Sequence, residues 1–376
     1  MRNAGYNSIL IVWKGVADEK NGIVHFASGL NSFQRLLLYF KTTLVKGSNY
    51  LRVLFRERPE ELFSSPFSGI DVLMHPLIRK ADFIHLHWVS GFVDLPLFFK
   101  SVNSDVIWTM HDAYPFLGGL HYPSQLSSHY GKLEQHFLEL KRSLYAIKPI
   151  VFVSPSKYLL EILGGENNSK ENVVVIPNLF ETSPYSEIIT RIRSNESRSL
   201  KIVFIADNFN YPRKGYPILI ELATIMDKNL YQFIAIGESI HDQTNSNINF
   251  VGFLPENEVL ACLSEADVLI IPSVFDNLPN VALESFAVGT PVICFSQNGM
   301  AEHILAGDLG VVVPIEEGAS GMAQALLRLE KGQFDRMQII KYFNQHFSPG
   351  VVIPLYNDIW KRDLEHWDEI RNQANE

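Results

Sequence analysis

Asp276 and Glu284 stand with seven residues between them in "VFDNLPNVALESFAVGTPV", Val274 to Val292. A Pro-Asn pair at Pro279 and Asn280 marks the start of a helix, because proline is favoured where its missing N–H is not needed. The first N–H groups of such a helix lack intrahelical partners and suit phosphate or sugar oxygens. Glu284 lies about one turn in, on the face of Asn280, and Asp276 lies just before the helix. Both carboxylates can therefore reach one polyhydroxylated ligand at the helix mouth. Charge-assisted hydrogen bonds of this kind are roughly twice as strong as neutral ones. A milder reading also stands on this stretch alone: Asp276 as a turn or capping acid and Glu284 as an acid favoured by the helix dipole.

The elements that must position these groups follow a βαβ rhythm. "SILIVW" (Ser8 to Trp13), "ADFIHLHW" (Ala81 to Trp88), "SDVIWTMHD" (Ser104 to Asp112), "PIVFVSPS" (Pro149 to Ser156) and "NVVVIPN" (Asn172 to Asn178) predict buried strands. Helices are expected over Ser32 to Val45 and Leu133 to Ala146. The rhythm breaks in a polar segment from Asn178. It restarts with strands at Leu200 to Asp207, Tyr231 to Glu238, Ile248 to Phe253, Ala266 to Ser273, Pro291 to Phe295 and Gly310 to Pro314. The expected organisation is an N-terminal Rossmann-like domain over 1–178, a linker over 179–199, a second Rossmann-like domain over 200–345, and a helical tail over 346–376 carrying Tyr356, Trp360 and Trp367. Ligands of open parallel sheets bind beyond the carboxyl ends of the strands, so the residues of interest should follow strands.

Composition agrees with a globular protein of two cores: 376 residues, 47% hydrophobic and 19% charged. The net charge of −9 argues against a nucleic-acid binder with a broad basic face. Two cysteines, Cys262 and Cys294, supply neither a disulfide framework nor a metal quartet and fit a reducing cytoplasm. The apolar run after the polar N-terminus is strand-sized, so no signal peptide is expected, and no stretch reaches membrane-span length.

The pattern Pro-Ser-x-x-Asp-x-Leu-Pro-Asn-x-x-x-Glu-Ser-x-Ala-x-Gly-Thr-Pro-Val resembles the signature of the family 4 (group 1) retaining glycosyltransferases, and in particular of the branch that builds bacterial polysaccharides. Asp276 stands where that family usually has its first Glu. "NGMAEHI" (Asn298 to Ile304) is similar to the turn that follows in the family. "YPRKGYPILIELA" (Tyr211 to Ala223) resembles the segment whose Lys and Arg clamp the donor diphosphate. Lys214 matches the Lys; Ala206-Asp207 occupies the place of the usual Gly-Arg, and Arg213 is the candidate second cation. "SDVIWTMHDAYPF" resembles the N-domain strand that ends in a functional His, here His111. "GGLHY" (Gly118 to Tyr122) carries Leu120 where the branch often has Cys, so no local metal or thiol cluster is expected.

The resemblance implies an α/β protein of GT-B fold, with two facing Rossmann-like domains and a C-terminal helix crossing back to the first. It implies a nucleotide-diphosphate sugar donor, a glycan or lipid-linked acceptor, domain closure on binding, and no metal or other cofactor, with cations and a helix N-terminus serving the diphosphate. Lys214 and Arg213 would take the diphosphate. Glu284 would take the ribose hydroxyls. Asp276 and the Asn277, Leu278, Pro279, Asn280 stretch would take the transferred sugar, and His111 the reacting region of that sugar. Gly22 matches the family's glycine loop, and Gly237, Val251 and Phe253 fall where it holds base and ribose. Strand-end glycines and cleft-wall histidines (His85 and His87) also have ordinary structural explanations. "QRLLLYFKTTLVK" (Gln34 to Lys46) and "DLPLFFK" (Asp94 to Lys100) are apolar and basic, which fits either sheet cover or peripheral inner-membrane contact. A sugar-nucleotide 2-epimerase of the same fold and a non-catalytic sugar-nucleotide binder remain open as other readings. A phosphorylase would need a cofactor lysine, for which no motif stands out.

Overall fold

The structure is a computed structural model that describes residues 7–54, 62–123, 131–163, 172–189, 199–238, 247–330 and 332–361. Among the described residues twelve strands form: β1 (Leu10–Val12), β2 (Ile23–His25), β3 (Phe83–Leu86), β4 (Asp105–Thr109), β5 (Ile150–Ser154), β6 (Val173–Val175), β7 (Leu200–Asn208), β8 (Tyr231–Glu238), β9 (Ile248–Gly252), β10 (Val268–Ile271), β11 (Val292–Phe295) and β12 (Gly310–Val313). Every strand expected from the apolar runs is present. β2 is additional. It lies in the "EKNGIVHFASGL" segment, too short to announce itself, and pairs parallel with β1. Five helices concern the argument: α1 (Ser32–Leu54), α2 (Gly131–Tyr145), α3 (Tyr216–Ile225), α4 (Asn280–Ala287) and α5 (Pro349–Lys361).

The chain divides into two compact units. One holds 1–154, 161–175 and 355–376; the other holds 155–160 and 176–354. The first contains the parallel sheet β3-β4-β5-β6 and the β1-β2 pair. Its central strands β4 and β5 are buried almost throughout, as near-continuous apolar runs must be when both faces of a parallel sheet are covered. α2 packs beside it through Phe137 and Leu144. α1 extends past the expected end at Val45 and through Gly47, because Asn49 continues its inner face and donates to the Phe67 carbonyl at 2.9 Å. "DLPLFFK" forms the helix Leu95–Ser101, capped by Asp94, with Phe98 and Phe99 each 1% exposed. Its phenylalanines turn inward, where Phe99 meets Tyr145 edge to face. The last part of α5 belongs to this unit: Tyr356 Oη lies 3.2 Å from Thr109 Oγ1, and Trp360 meets His85 edge to face. Trp367 lies outside the described residues.

The second unit has a six-stranded parallel sheet in the order β12-β11-β10-β7-β8-β9. The order reverses direction of growth between β7 and β10, which is the doubly wound pattern with its switch point at those two strands. β10 and β11 are wholly buried. Two apolar clusters fill the two faces, one under α4 and Phe286, Phe343 and Phe347, the other under α3 and Leu219, Leu222 and Met322. In the segment expected to be a linker, Phe180 is buried in this core and its N–H bonds the Phe347 carbonyl at 3.1 Å. Residues 190–198 of that segment lie outside the described part.

Candidate active site

In the second unit the loops after β7 and β10 meet at the switch point. The loop after β7 ends in a 3-10 turn, Pro212–Lys214, closed by Gly215 at φ 75° before α3 begins. Glycine is required there twice over: the backbone is left-handed, and a Cβ would stand 2.0 Å from the Pro272 carbonyl oxygen. That contact presses the β7 loop onto the end of β10. Val274 N–H completes the join by donating to the Arg213 carbonyl at 2.8 Å.

The join brings both cations to one carboxylate. Lys214 Nζ lies 2.8 Å from Asp276 Oδ2, and Arg213 Nη1 lies 3.9 Å from the same atom. All three side chains keep some exposure, 20, 14 and 15%. Arg213 and Lys214 are adjacent in sequence, yet the 3-10 turn aims both at Asp276.

Asp276 is fixed from its other side by the "NGM" turn. Its carbonyl accepts from Gly299 N–H at 3.0 Å, and a Cβ at Gly299 would fall 1.6 Å from the Asn277 carbonyl oxygen. Asn277 is buried; its Oδ1 accepts from Ser156 Oγ at 2.6 Å. Leu278 and Pro279 are buried as well, and Asn280 is exposed. Asn178 Nδ2 holds this end of the loop through the Leu278 carbonyl and Asn280 Oδ1, both at 3.1 Å. Ser156 and Asn178 are therefore the supports of the loop. Sequence gave no warning of either, since both come from distant strand ends. Asn298 is 1% exposed; its Oδ1 accepts from Met300 N–H at 2.9 Å, and its buried Nδ2 has no partner among the described residues.

α4 starts with Pro279 as its N-cap and no side-chain cap, so its first N–H groups are not taken up by a capping side chain. One turn in, Glu284 is half-buried and makes no hydrogen bond or ion pair among the described residues. Burial, with a smaller push from Glu256, raises its carboxyl to about 7. A carboxylate placed so pays for desolvation without a compensating donor. Ligand hydroxyls would supply that donor.

The remaining candidates of this unit divide. Phe253, after β9, is 80% exposed, an aromatic face free to stack. Val251 is half-buried against the core. Gly237 sits at φ 141° where a Cβ would stand 1.7 Å from the Ala206 carbonyl oxygen, so its glycine is demanded by the approach of β8 to β7.

In the first unit His111 follows β4. Its Nε2 lies 3.0 Å from His87 Nδ1, and Trp88 stacks over it at 12°. Burial lowers its pKa against a smaller opposing pull from Asp112. Burial and His111 take His87 to about 4, and burial takes His85 well below its usual value. Burial thus favours the neutral form of His111. His85 is occupied with Thr109 Oγ1 at 2.8 Å. Trp88 adopts φ 45°, which ends the strand earlier than the apolar run suggested. Gly22, at φ 75°, caps a 3-10 turn; its N–H bonds Glu19 and its carbonyl accepts from Leu10, so its backbone N–H is already committed.

The loop behind His111 is braced from inside. Asp112 Oδ2 meets His121 Nδ1 at 2.5 Å, and His121 Nε2 meets Ser64 Oγ at 2.9 Å. Glu134 of α2 accepts from the N–H groups of Gly118, Gly119 and Leu120. Lys141, fully buried, donates to the carbonyls of Tyr114 at 2.6 Å and Leu117 at 2.8 Å.

The switch-point site lies in a segment that is similar to known proteins. Residues 199–331 match the family model "Glycosyl transferases group 1". The matched segment contains Arg213, Lys214, Asp276 and Glu284, while His111 lies outside it. A protein of the cps region of Klebsiella pneumoniae is 28% identical over 64% of this chain and 67% of its own. The amylovoran biosynthesis glycosyltransferase of Erwinia amylovora is 32% identical over 27% of this chain and 28% of its own; the match thus spans little more than a quarter of that relative. Among solved structures, HepE of Anabaena in complex with UDP and glucose superposes with a TM-score of 0.57 at 15% identity, over 76% of this chain and 82% of its own. That likeness shows the GT-B fold.

Proposed function

We propose that this chain transfers a sugar, with retention of configuration, from a nucleotide-diphosphate sugar to a glycan or lipid-linked acceptor in bacterial surface-polysaccharide synthesis, on the cytoplasmic side of the membrane. The observation that carries the reading is the pair of cations on one carboxylate at the switch point, followed one turn into α4 by Glu284, which has no hydrogen bond or ion pair among the described residues and whose carboxyl is raised to about 7. The group 1 glycosyl transferase match over the same residues supports it, and so do a relative from a cps region and a glycosyltransferase of amylovoran biosynthesis.

Lys214 and Arg213 are assigned to the donor diphosphate, whose negative charge grows as the glycosidic bond breaks. They supply the positive charge that a metal ion would otherwise bring, so the transfer is assigned no metal. Asp276 and the N–H groups at the start of α4 are assigned to the transferred sugar, and Glu284 to the ribose hydroxyls. Phe253 is assigned to the base. His111, favoured in its neutral form, is assigned to a hydroxyl of the transferred sugar. Attack comes from the face the leaving phosphate vacates, with that phosphate helping to take the acceptor proton.

The test is a panel of UDP-, GDP- and ADP-sugars scored by thermal stabilisation and slow donor hydrolysis, with and without EDTA, on the wild type and Glu284→Ala. One nucleotide series should stabilise by mass action, EDTA should change nothing, and Glu284→Ala should lose the effect. HepE, crystallised with UDP and glucose, makes UDP-glucose the first donor to try. Stabilisation that survives Glu284→Ala unchanged would refute this placement of the donor.

A further inference from the structure

α1 has two faces of opposite kind. Leu38 and Thr42 are buried, Val45 and Asn49 half-buried, and these recur at the spacing of one helical stripe. That stripe is seated closely: a Cβ on Gly69 would meet Val45 Cγ2 at 3.0 Å and the Lys41 carbonyl at 3.1 Å. On the other side, Phe33, Leu36, Leu37, Phe40 and Leu44 form a second stripe, with Tyr39 at its edge. They are 73, 54, 37, 57, 74 and 66% exposed. A surface helix with one packed face ordinarily carries polar residues opposite it. A contiguous row of large apolar side chains there marks an interaction surface.

Charge says what kind. Ser32–Leu54 contains Arg35, Lys41, Lys46 and Arg52 and no acidic residue, in a chain whose net charge is −9. At 3.6 residues per turn, Lys41 falls on one flank of the apolar stripe and Lys46, beyond Tyr39, on the other; Arg35 lies farther round and donates Nε to the Leu30 carbonyl at 3.0 Å. Long basic side chains beside an apolar strip can keep their heads at a charged boundary while the strip sinks below it. An aromatic pair, Tyr39 and Phe40 at 6.0 Å, adds rings of the type that settle at a bilayer interface. Among the described residues no helix is long and apolar enough to cross a membrane, and the inner stripe of α1 is already committed to its own unit.

We propose that the outward face of α1 is a docking surface for an anionic lipid bilayer, on which the helix lies flat. The inference rests on the proposed reading in one respect only, that a lipid-linked acceptor gives the docking its purpose. Phe33, Phe40 and Leu44 enter the interface, and Lys41 and Lys46 meet lipid phosphates.

The test is co-sedimentation of the full chain with vesicles of phosphatidylcholine alone, or of phosphatidylcholine with phosphatidylglycerol, across a salt series. Wild type should bind the anionic vesicles and lose binding as salt rises. A Phe33→Ser, Phe40→Ser double variant should bind at least about tenfold more weakly. Lys41→Glu with Lys46→Glu should weaken binding by about tenfold or more, only on anionic vesicles. Circular dichroism and the stabilisation by nucleotide sugar serve as fold controls and should not change. Wild type failing to bind either vesicle, or the serine variant binding as wild type does, would overturn the inference. So would self-association that the serine variant abolishes while vesicles are ignored, since the face would then join two copies of the chain. Donor binding and vesicle binding are read separately, so either proposal can fail while the other stands.

Discussion

Two loops at the ends of parallel strands treat charge in opposite ways. Behind β4, every buried ionisable side chain in the loop from Asp112 to Tyr122 and its α2 support has a partner. Asp112 holds His121, Glu134 holds three N–H groups, and Lys141 holds two carbonyls. Behind β10, Asp276 gathers two cations at partial exposure, while Glu284 sits half-buried with no hydrogen bond or ion pair among the described residues. A closed network fixes a shape and offers nothing to a ligand. Two cations on one acid gain from an anionic ligand, and an acid without a donor among the described residues gains from a hydroxyl.

The largest effect should come from breaking the closed network. Glu134→Ala leaves the N–H groups of Gly118, Gly119 and Leu120 buried without an acceptor, and Lys141 without the nearby negative charge that favours its ionised form. The expected cost is about 4 kcal/mol, read from denaturant midpoints. A loss below about 1 kcal/mol would show that the loop is held by other means. In contrast, Lys214→Met should leave the midpoint nearly in place and lower kcat/KM for the donor by about a hundredfold or more. A stability loss with unchanged kcat/KM would reverse the contrast.

The third prediction separates a poised carboxylate from a merely tolerated one. In the folded chain Glu284 holds its proton up to about pH 7, against an ordinary value of 4.5. A raised acid adds stability that is complete below the unfolded value and is lost as pH rises through the folded one. Wild type should therefore lose stability on going from pH 5 to pH 8, while Glu284→Gln should lose less. The difference should be about 2 kcal/mol, less than the full shift implies because the group is partly open to solvent. Hydroxyl donors of a bound ligand favour the ionised form, so donor binding near neutral pH should release a proton. That release is measurable as a buffer-dependent binding heat, and it should vanish in Glu284→Gln.

Much of the second unit was legible in the sequence, because its signals are local. The apolar runs gave all six strands, and "DNLPNVALE" gave the loop, the helix start and the turn between the carboxylates. Less could be read where the cause is distant. Ser156 and Asn178 fix the β10 loop from 121 and 100 residues away, and no local pattern announces such a bond. Gly237 read as a nucleotide contact on position alone, whereas the structure ties its lack of a side chain to the Ala206 carbonyl. "QRLLLYFKTTLVK" and "DLPLFFK" looked alike in composition. Only the fold tells them apart: Phe98 and Phe99 are buried, while Phe33 and Phe40 are exposed.

Arg213 gives the smallest and sharpest test. The sequence lacks the usual Gly-Arg after β7 and offers Arg213 in its place, one residue before Lys214. Adjacent residues on an extended chain would point apart. The 3-10 turn removes that objection, since both cations approach the same oxygen of Asp276. They do so unequally, Lys214 at 2.8 Å and Arg213 at 3.9 Å. Lys214 makes a direct hydrogen bond, and Arg213 contributes charge at longer range in a partly exposed site, where such a contribution is modest. If Arg213 serves as a charge, Arg213→Lys should lower kcat/KM by no more than about fivefold and Arg213→Ala by about tenfold, both less than Lys214→Met. If instead its guanidinium grips the diphosphate with two parallel bonds, lysine cannot replace it. Arg213→Lys would then fall as far as Arg213→Ala, and the departure after β7 would be a relocation of the family's arginine rather than its loss.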